Sequence, residues 1–115
     1  MDYIDKKLLF FLGKKNFFKI KDYPKFYKKV WLQTLKIPKG EVRTYKWVAE
    51  KIAFPKAYRA VGKALKENPL PIIIPCHRVI KSSGELGGYS QGIKKKIQML
   101  KKEGVKKLKV ESKKS

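Results

Sequence analysis

The residue types that build covalent bridges and metal sites are nearly missing from this 115-residue chain, which has one cysteine, Cys76, and one histidine, His77. No disulfide can close within it, and a zinc site of four Cys or His ligands cannot be assembled. No metal and no cofactor are expected. Acidic residues are scarce too: nine Asp and Glu stand against thirty Lys and Arg, a formal charge of +21. Thermal adaptation would raise Lys and Glu together into ion-pair networks. The missing acids argue instead for a nucleic-acid partner that relieves the self-repulsion. Long apolar runs are absent as well. Leu8-Leu9-Phe10-Phe11-Leu12, after Lys6-Lys7, is too short for a signal-peptide core, and no small-residue cleavage site follows. Nothing approaches the ~20 apolar residues of a membrane span. The expectation is a soluble, cytoplasmic monomer with one modest core, which is what this length can hold.

What is present organises into short helices. Residues 1–22 show no clear period and read as a small appended segment, one strand or a helical turn. From Tyr23 the pattern sharpens: Phe26 and Val30, and Tyr27, Trp31 and Leu35, recur at helical spacing. Pro38-Lys39-Gly40 ends that helix in a turn. Thr44 is a candidate N-cap for a second helix with Val48, Ala49, Ile52 and Ala53 as its buried stripe. After Phe54-Pro55-Lys56, a third helix runs from about Lys56 to Glu67, with Ala57, Ala60, Val61, Ala64 and Leu65 inward and Lys56, Arg59, Lys63 and Lys66 off that stripe. Asn68 and Pro69 stop it. Two short helices across a tight turn, preceded by another helix, read as a helix-turn-helix.

Beyond the third helix the texture changes. Leu70-Pro71-Ile72-Ile73-Ile74-Pro75 reads as extended and buried. Val79-Ile80-Lys81, Ser82-Ser83-Gly84 and Glu85-Leu86 read as a small β-hairpin, a wing. A last helix, about Ile93 to Glu103, aligns Ile93, Ile97 and Leu100 and ends at Gly104. The fold class is therefore mainly α with a small β-hairpin, winged-helix-like. A domain spans residues 23–106, and a basic tail spans 107–115.

Cys76 is the residue with chemistry to offer. Inert packing is one reading, since free cysteine is among the most buried residue types. Its neighbours argue for a nucleophile: a thiol ionises unaided only near about pH 8.5, and the His77 imidazole and Arg78 guanidinium supply a positive environment that would lower this. Adjacent side chains diverge in an extended segment, so His77 would reach the sulfur through a turn or a water. A protease reading is poor, because one histidine and no convincing oxyanion arrangement leave acyl transfer without its parts.

The segment Pro71-Ile72-Ile73-Ile74-Pro75-Cys76-His77-Arg78-Val79-Ile80 resembles the active-site motif of the O6-alkylguanine-DNA alkyltransferases, or methylated-DNA–protein-cysteine methyltransferases. The resemblance extends from about Phe26 to Gly104. It includes Gly40-Glu41-Val42-Arg43-Thr44-Tyr45, Pro55-Lys56-Ala57-Tyr58-Arg59-Ala60-Val61-Gly62, Glu67-Asn68-Pro69 and Gly87-Gly88-Tyr89-Ser90. It implies single-turnover repair of double-stranded DNA carrying O6-alkylguanine. Cys76 would accept the alkyl group, His77 would draw its proton through a water, and Glu103 would orient that imidazole. Tyr45 would bond N3 of the extruded guanine, the Ser90 N–H would donate to O6, and the carbonyls of Cys76 and Val79 would take the exocyclic amine. Arg59 would enter the gap in the base stack. Lys56, Ala57, Tyr58, Ser82 and Ser83 would meet the DNA. Asn68 would tie the third helix to the active-site loop, with Pro71, Tyr89 and Gly87 around the alkyl pocket.

Such roles match what the reaction demands. Attack on an sp³ carbon creates no oxyanion, so thiolate supply and alignment must carry catalysis, and a base must leave the duplex to be reached. The chain also departs from the family's usual pattern. Members usually carry a preceding N-terminal domain, sometimes with zinc, where some twenty residues stand here. Tyr58 occupies a position where the family commonly has a small residue. Two alternatives are a damage-sensing relative, which would lack the acceptor thiol, and a basic helix-turn-helix DNA-binding protein in which Cys76 is incidental.

Overall fold

The computed structural model describes residues 1–89 and 91–105. The expected basic tail at 107–115 and Ser90 lie outside the described residues.

The N-terminal segment is a helix and not a strand or single turn. Helix α1 covers Tyr3–Ile20, opened by Asp2, whose side chain accepts from the Asp5 N–H at 2.8 Å. Its inward residues are Leu8, Leu12, Phe17 and Ile20. At 3.6 residues per turn, Phe17 would fall about half a turn away from Leu8 on a straight helix. Gly13, at φ 78° and ψ 166°, breaks the helical path between the two pairs and brings both onto one face. That phase break hides the period in the sequence. It also makes the segment part of the main core and not an appendage, since these four residues share one apolar cluster with Val30, Trp31, Val61 and Cys76.

Helix α2, Lys25–Leu35, lies at the centre of the molecule. Trp31 is fully buried, and its indole N–H donates to the Ala64 carbonyl at 3.0 Å, tying α2 to the fourth helix. Lys28 is buried as well, with its ammonium on Asp5 at 2.9 Å and on the Lys21 carbonyl at 2.9 Å. A turn closed by the Glu41 N–H on the Pro38 carbonyl leads into strand β1, Arg43–Thr44, and helix α3, Tyr45–Lys51. Thr44 caps α3 as its sequence position predicts, accepting from the Trp47 N–H at 2.9 Å. Within the expected stripe Val48 and Ala49 are buried, whereas Ala53 is exposed at φ 69°, already in the turn.

Helix α4 runs Tyr58–Lys66, so Lys56 lies in the turn before it and Ala57 at its N-cap. Val61, Ala64 and Leu65 face the core, but Ala60 points outward. The proline-bracketed run is not extended and buried: the Ile74 N–H returns to the Leu70 carbonyl at 2.9 Å, and Ile72 (φ 77°) and Ile73 are both about half exposed. Closing so short a loop leaves only its two ends, Leu70 and Ile74, in the core.

A one-turn 3₁₀ helix at Cys76–Arg78 leads into strand β2, Val79–Ile80. The described residues are mainly helical with one small two-stranded sheet, and α3 with α4 form a helix-turn-helix unit. The pairing differs from a hairpin: β2 runs parallel to β1, with Arg43 opposite Val79 and Thr44 opposite Ile80. Residues 81–85 form a turn in which the Lys81 N–H bonds the Glu85 carbonyl at 2.8 Å. Helix α5, Ile93–Lys102, packs Ile93, Ile97 and Leu100 with Ile80 and Leu86 in a second small cluster. Among the described residues no helix is long and apolar enough to cross a membrane.

Candidate active site

The parallel pairing of β1 with β2 fixes the site, because it sets Thr44-Tyr45 beside the segment that follows Cys76. Cys76 begins the 3₁₀ turn, is almost fully buried, and stands on the wall of a cavity of about 750 Å³. Asn68, at the end of α4, holds the loop in place. Its amide N–H donates to the Ile74 carbonyl at 2.9 Å and to the Cys76 Sγ at 3.3 Å, while its oxygen accepts from the Leu70 N–H at 2.8 Å. The link from the third sequence helix to the active-site loop is therefore a set of direct hydrogen bonds.

Burial pushes the Cys76 thiol above its ordinary pKa, and the Asn68 hydrogen bond and the Lys96 charge offset only part of that. The resting group is a thiol. This corrects the expectation of a sulfur acidified by Arg78. The Arg78 guanidinium is spent elsewhere, donating from Nε and Nη2 to Glu103 at 2.9 and 2.8 Å and from Nη1 to the Ile37 carbonyl at 2.9 Å.

Glu103, just past α5, collects His77 and Arg78 together. His77 Nε2 lies 3.0 Å from Glu103 Oε2. Burial opposes ionisation of Glu103, but the hydrogen bonds from Arg78 and His77 outweigh it and hold the carboxyl at about 2. Glu103 is thus an anion that can only accept, so the His77 proton sits on Nε2. Burial also depresses the imidazole pKa by more than Glu103 raises it, which keeps His77 neutral. Its Nδ1 is buried and has no hydrogen-bond partner among the described residues. The arrangement yields a neutral imidazole with its basic nitrogen unused.

The cavity brings together Cys76, Tyr45, Tyr58, Arg59, Ser82, Gly87 and Tyr89. Tyr89 is buried, its hydroxyl pushed up to about 12 by burial first and by the neighbouring Cys76 second. Pro71, Lys56, Ala57 and Ser83 do not reach the cavity wall. Val79 is fully buried, and its carbonyl already accepts from Lys96 at 2.8 Å, while the Cys76 carbonyl accepts from the Val79 N–H. Each carbonyl retains a second lone pair.

A family model described as 6-O-methylguanine DNA methyltransferase, DNA binding domain, matches residues 25–105. The chain belongs to this family. It is 50% identical over 97 residues to a methylated-DNA–protein-cysteine methyltransferase of Methanosarcina barkeri, covering 82% of this chain and 61% of that protein. Among solved structures it resembles Mycobacterium tuberculosis OGT in complex with DNA, with 48% identity and a TM-score of 0.69 over 70% of this chain and 49% of that one. It also resembles S. pombe Atl1 in complex with damaged DNA containing O6-carboxymethylguanine, with 36% identity and a TM-score of 0.65 over 71% of this chain and 78% of that one. The chain thus spans about half to three-fifths of the length of the first two relatives.

In this member of the methyltransferase family, one buried cation escaped the sequence reading. Lys96 is fully buried and donates to the carbonyls of Val79, Leu86 and Gly88, the last at 3.1 Å. Its ammonium also lies 5.9 Å from the Tyr45 ring centroid. A signal existed: Ile93, Lys96, Ile97 and Leu100 follow i, i+3, i+4, i+7, so a lysine occupies a core position of α5. Lys46, which stands on the cavity wall, carried no such mark.

Proposed function

We propose that this protein repairs double-stranded DNA by moving an alkyl group from O6 of an extruded guanine onto its own Cys76. One observation carries the reading: the only thiol of the chain lies on the wall of a cavity shared with Tyr45 and with Arg59 of the basic helix α4. In the step proposed, the Cys76 sulfur attacks the alkyl carbon. The S–C bond forms, the C–O6 bond breaks, and its electron pair goes to the guanine. The thiol proton leaves toward His77 Nδ1, through a water, while Glu103 stabilises the imidazolium that results. Tyr45 would donate to N3 and the Ser90 N–H to O6, so that the leaving guanine is neutralised as charge develops on it. Arg59 would fill the stack, offsetting part of the few kcal/mol that extrusion costs.

The DNA duplex is the partner that the +21 charge supports. Lys56, Ala57, Ser82 and Ser83 belong to its footprint in this reading. A cytoplasmic location belongs to the same proposal, because an acceptor thiol must stay reduced until used. The product is a thioether, whose C–S bond neither water nor a thiol cleaves under ordinary conditions, so each molecule acts once.

The test is intact-protein mass after mixing with a duplex bearing one O6-methylguanine. A gain of one methylene, mapped to Cys76 and absent from Cys76→Ala, is expected. Tight binding to the lesion with an unchanged mass would replace transfer by damage sensing.

A further inference from the structure

Tyr58 opens helix α4 one residue before Arg59, and both stand on the wall of the cavity that holds Cys76. Folding does not account for the Tyr58 ring. The residue is 38% exposed and belongs to neither apolar cluster. It is not left loose, however. Lys46, the second residue of α3 and also on the cavity wall, places its ammonium 5.7 Å from the centre of the Tyr58 ring. That is within reach of a cation–π attraction. The helix-turn-helix thus presents at the cavity an aromatic surface braced by a cation from the neighbouring helix.

Neighbouring residues leave a helix about 100° apart. Tyr58 and Arg59 therefore diverge from α4 while both reaching the cavity, and they cannot occupy the same gap in a base stack. With Arg59 assigned to the space left by the extruded guanine, the ring beside it meets the adjoining nucleotide. An exposed aromatic ring in a basic setting suits that partner, because every base offers a π-face and the surrounding lysines draw in the backbone.

We propose that Tyr58, braced by Lys46, stacks on a nucleotide flanking the extruded guanine and thereby holds the duplex open for transfer. The proposal rests on the alkyl-transfer reading above and assigns a positioning role, since Tyr58 would touch the DNA but not the reacting atoms.

The experiment compares single-turnover transfer from an O6-methylguanine duplex with transfer from free O6-benzylguanine, which needs no extrusion. Tyr58→Ala is expected to lower the ratio of the duplex rate to the free-base rate by about tenfold, as loss of one base–aromatic stack would. Tyr58→Phe, which keeps the ring, should hold that ratio within about twofold of wild type by the same stacking argument. If Tyr58→Ala slows both substrates equally, or neither, the stacking role is overturned. If Tyr58→Phe loses as much as Tyr58→Ala, the hydroxyl and not the ring matters, and the proposal fails again. A wild-type protein that accepts alkyl from neither substrate overturns the transfer reading itself.

Discussion

Gly87 is packed against the hydroxyl of Tyr45 so closely that a Cβ there would stand 2.5 Å from the Tyr45 Oη and 3.0 Å from Cε2. Its φ of +72° is also one that L side chains rarely adopt. Gly87→Ala should therefore push the Tyr45 ring out of place and strain the chain together, costing about 1–3 kcal/mol of stability. Transfer should fall about a hundredfold if Tyr45 protonates the leaving base, since general acid catalysis contributes that much or more. Single-turnover rates and thermal melts check both, and an Ala variant with the wild-type rate would remove Tyr45 from the mechanism.

Glu103→Gln tests the His77 network. The variant puts a neutral amide in place of the carboxylate that pairs with His77 Nε2 and with two Arg78 nitrogens. A neutral amide cannot fix the imidazole tautomer as an anion does, and it leaves the partly buried Arg78 charge short of its counter-ion. Stability should drop by about 3 kcal/mol. Transfer should drop further than stability explains, by about a hundredfold under conditions where the variant is folded. A folded variant with unchanged transfer would show that His77 works without Glu103.

Acid should unfold the protein through the same carboxylate. The folded Glu103 pKa, about 2, lies below its ordinary value of 4.5, so the unfolded state binds the proton first as pH falls. The stability from this group is present above about pH 4.5 and is lost progressively down to about pH 2. His77 acts in the same direction: its pKa is lowered, so protonation on acidification favours the unfolded chain below its ordinary range near 6.5. Denaturant melts from pH 7 to pH 3 should show stability falling in both windows. A profile for Glu103→Gln parallel to wild type between pH 4.5 and 3 would contradict this account.

Methylated Cys76 should be less stable than the free thiol. The sulfur lies on the cavity wall, so the added methyl has space to enter. The cost comes from polar groups: the methyl crowds the sulfur that the Asn68 amide bonds, and a thioether has no S–H left to donate, through a water, toward the buried His77 Nδ1. A loss of about 1 kcal/mol lowers the melting midpoint of a domain of this size by about 4 °C. Melting the free and methylated forms side by side measures it, and equal midpoints would show that Asn68 does not sense the modification.

How much of this was legible beforehand depends on distance along the chain. The sequence by itself determined helices α2 to α5, because their apolar spacing and the Thr44 cap act within a few residues of each other. It also singled out Cys76 with His77 and, through resemblance, several residues now found around one cavity, though Pro71, Lys56, Ala57 and Ser83 lie off its wall. Only the tertiary structure decided the rest. Gly13 resets the phase of α1, so four core residues gave no period to read. The pairing of Arg43 with Val79 joins segments far apart in sequence, and its parallel sense turns a presumed hairpin into the strut beneath the site. Arg78, two residues from Cys76, turns away to Glu103, while Lys96, twenty positions from the cysteine, brings its charge near the sulfur. Periodicity and capping are local and travel with the chain. Which cation reaches a thiol, and whether that thiol is buried enough to stay protonated, depends on packing between elements, and packing is settled only when the chain has closed on itself.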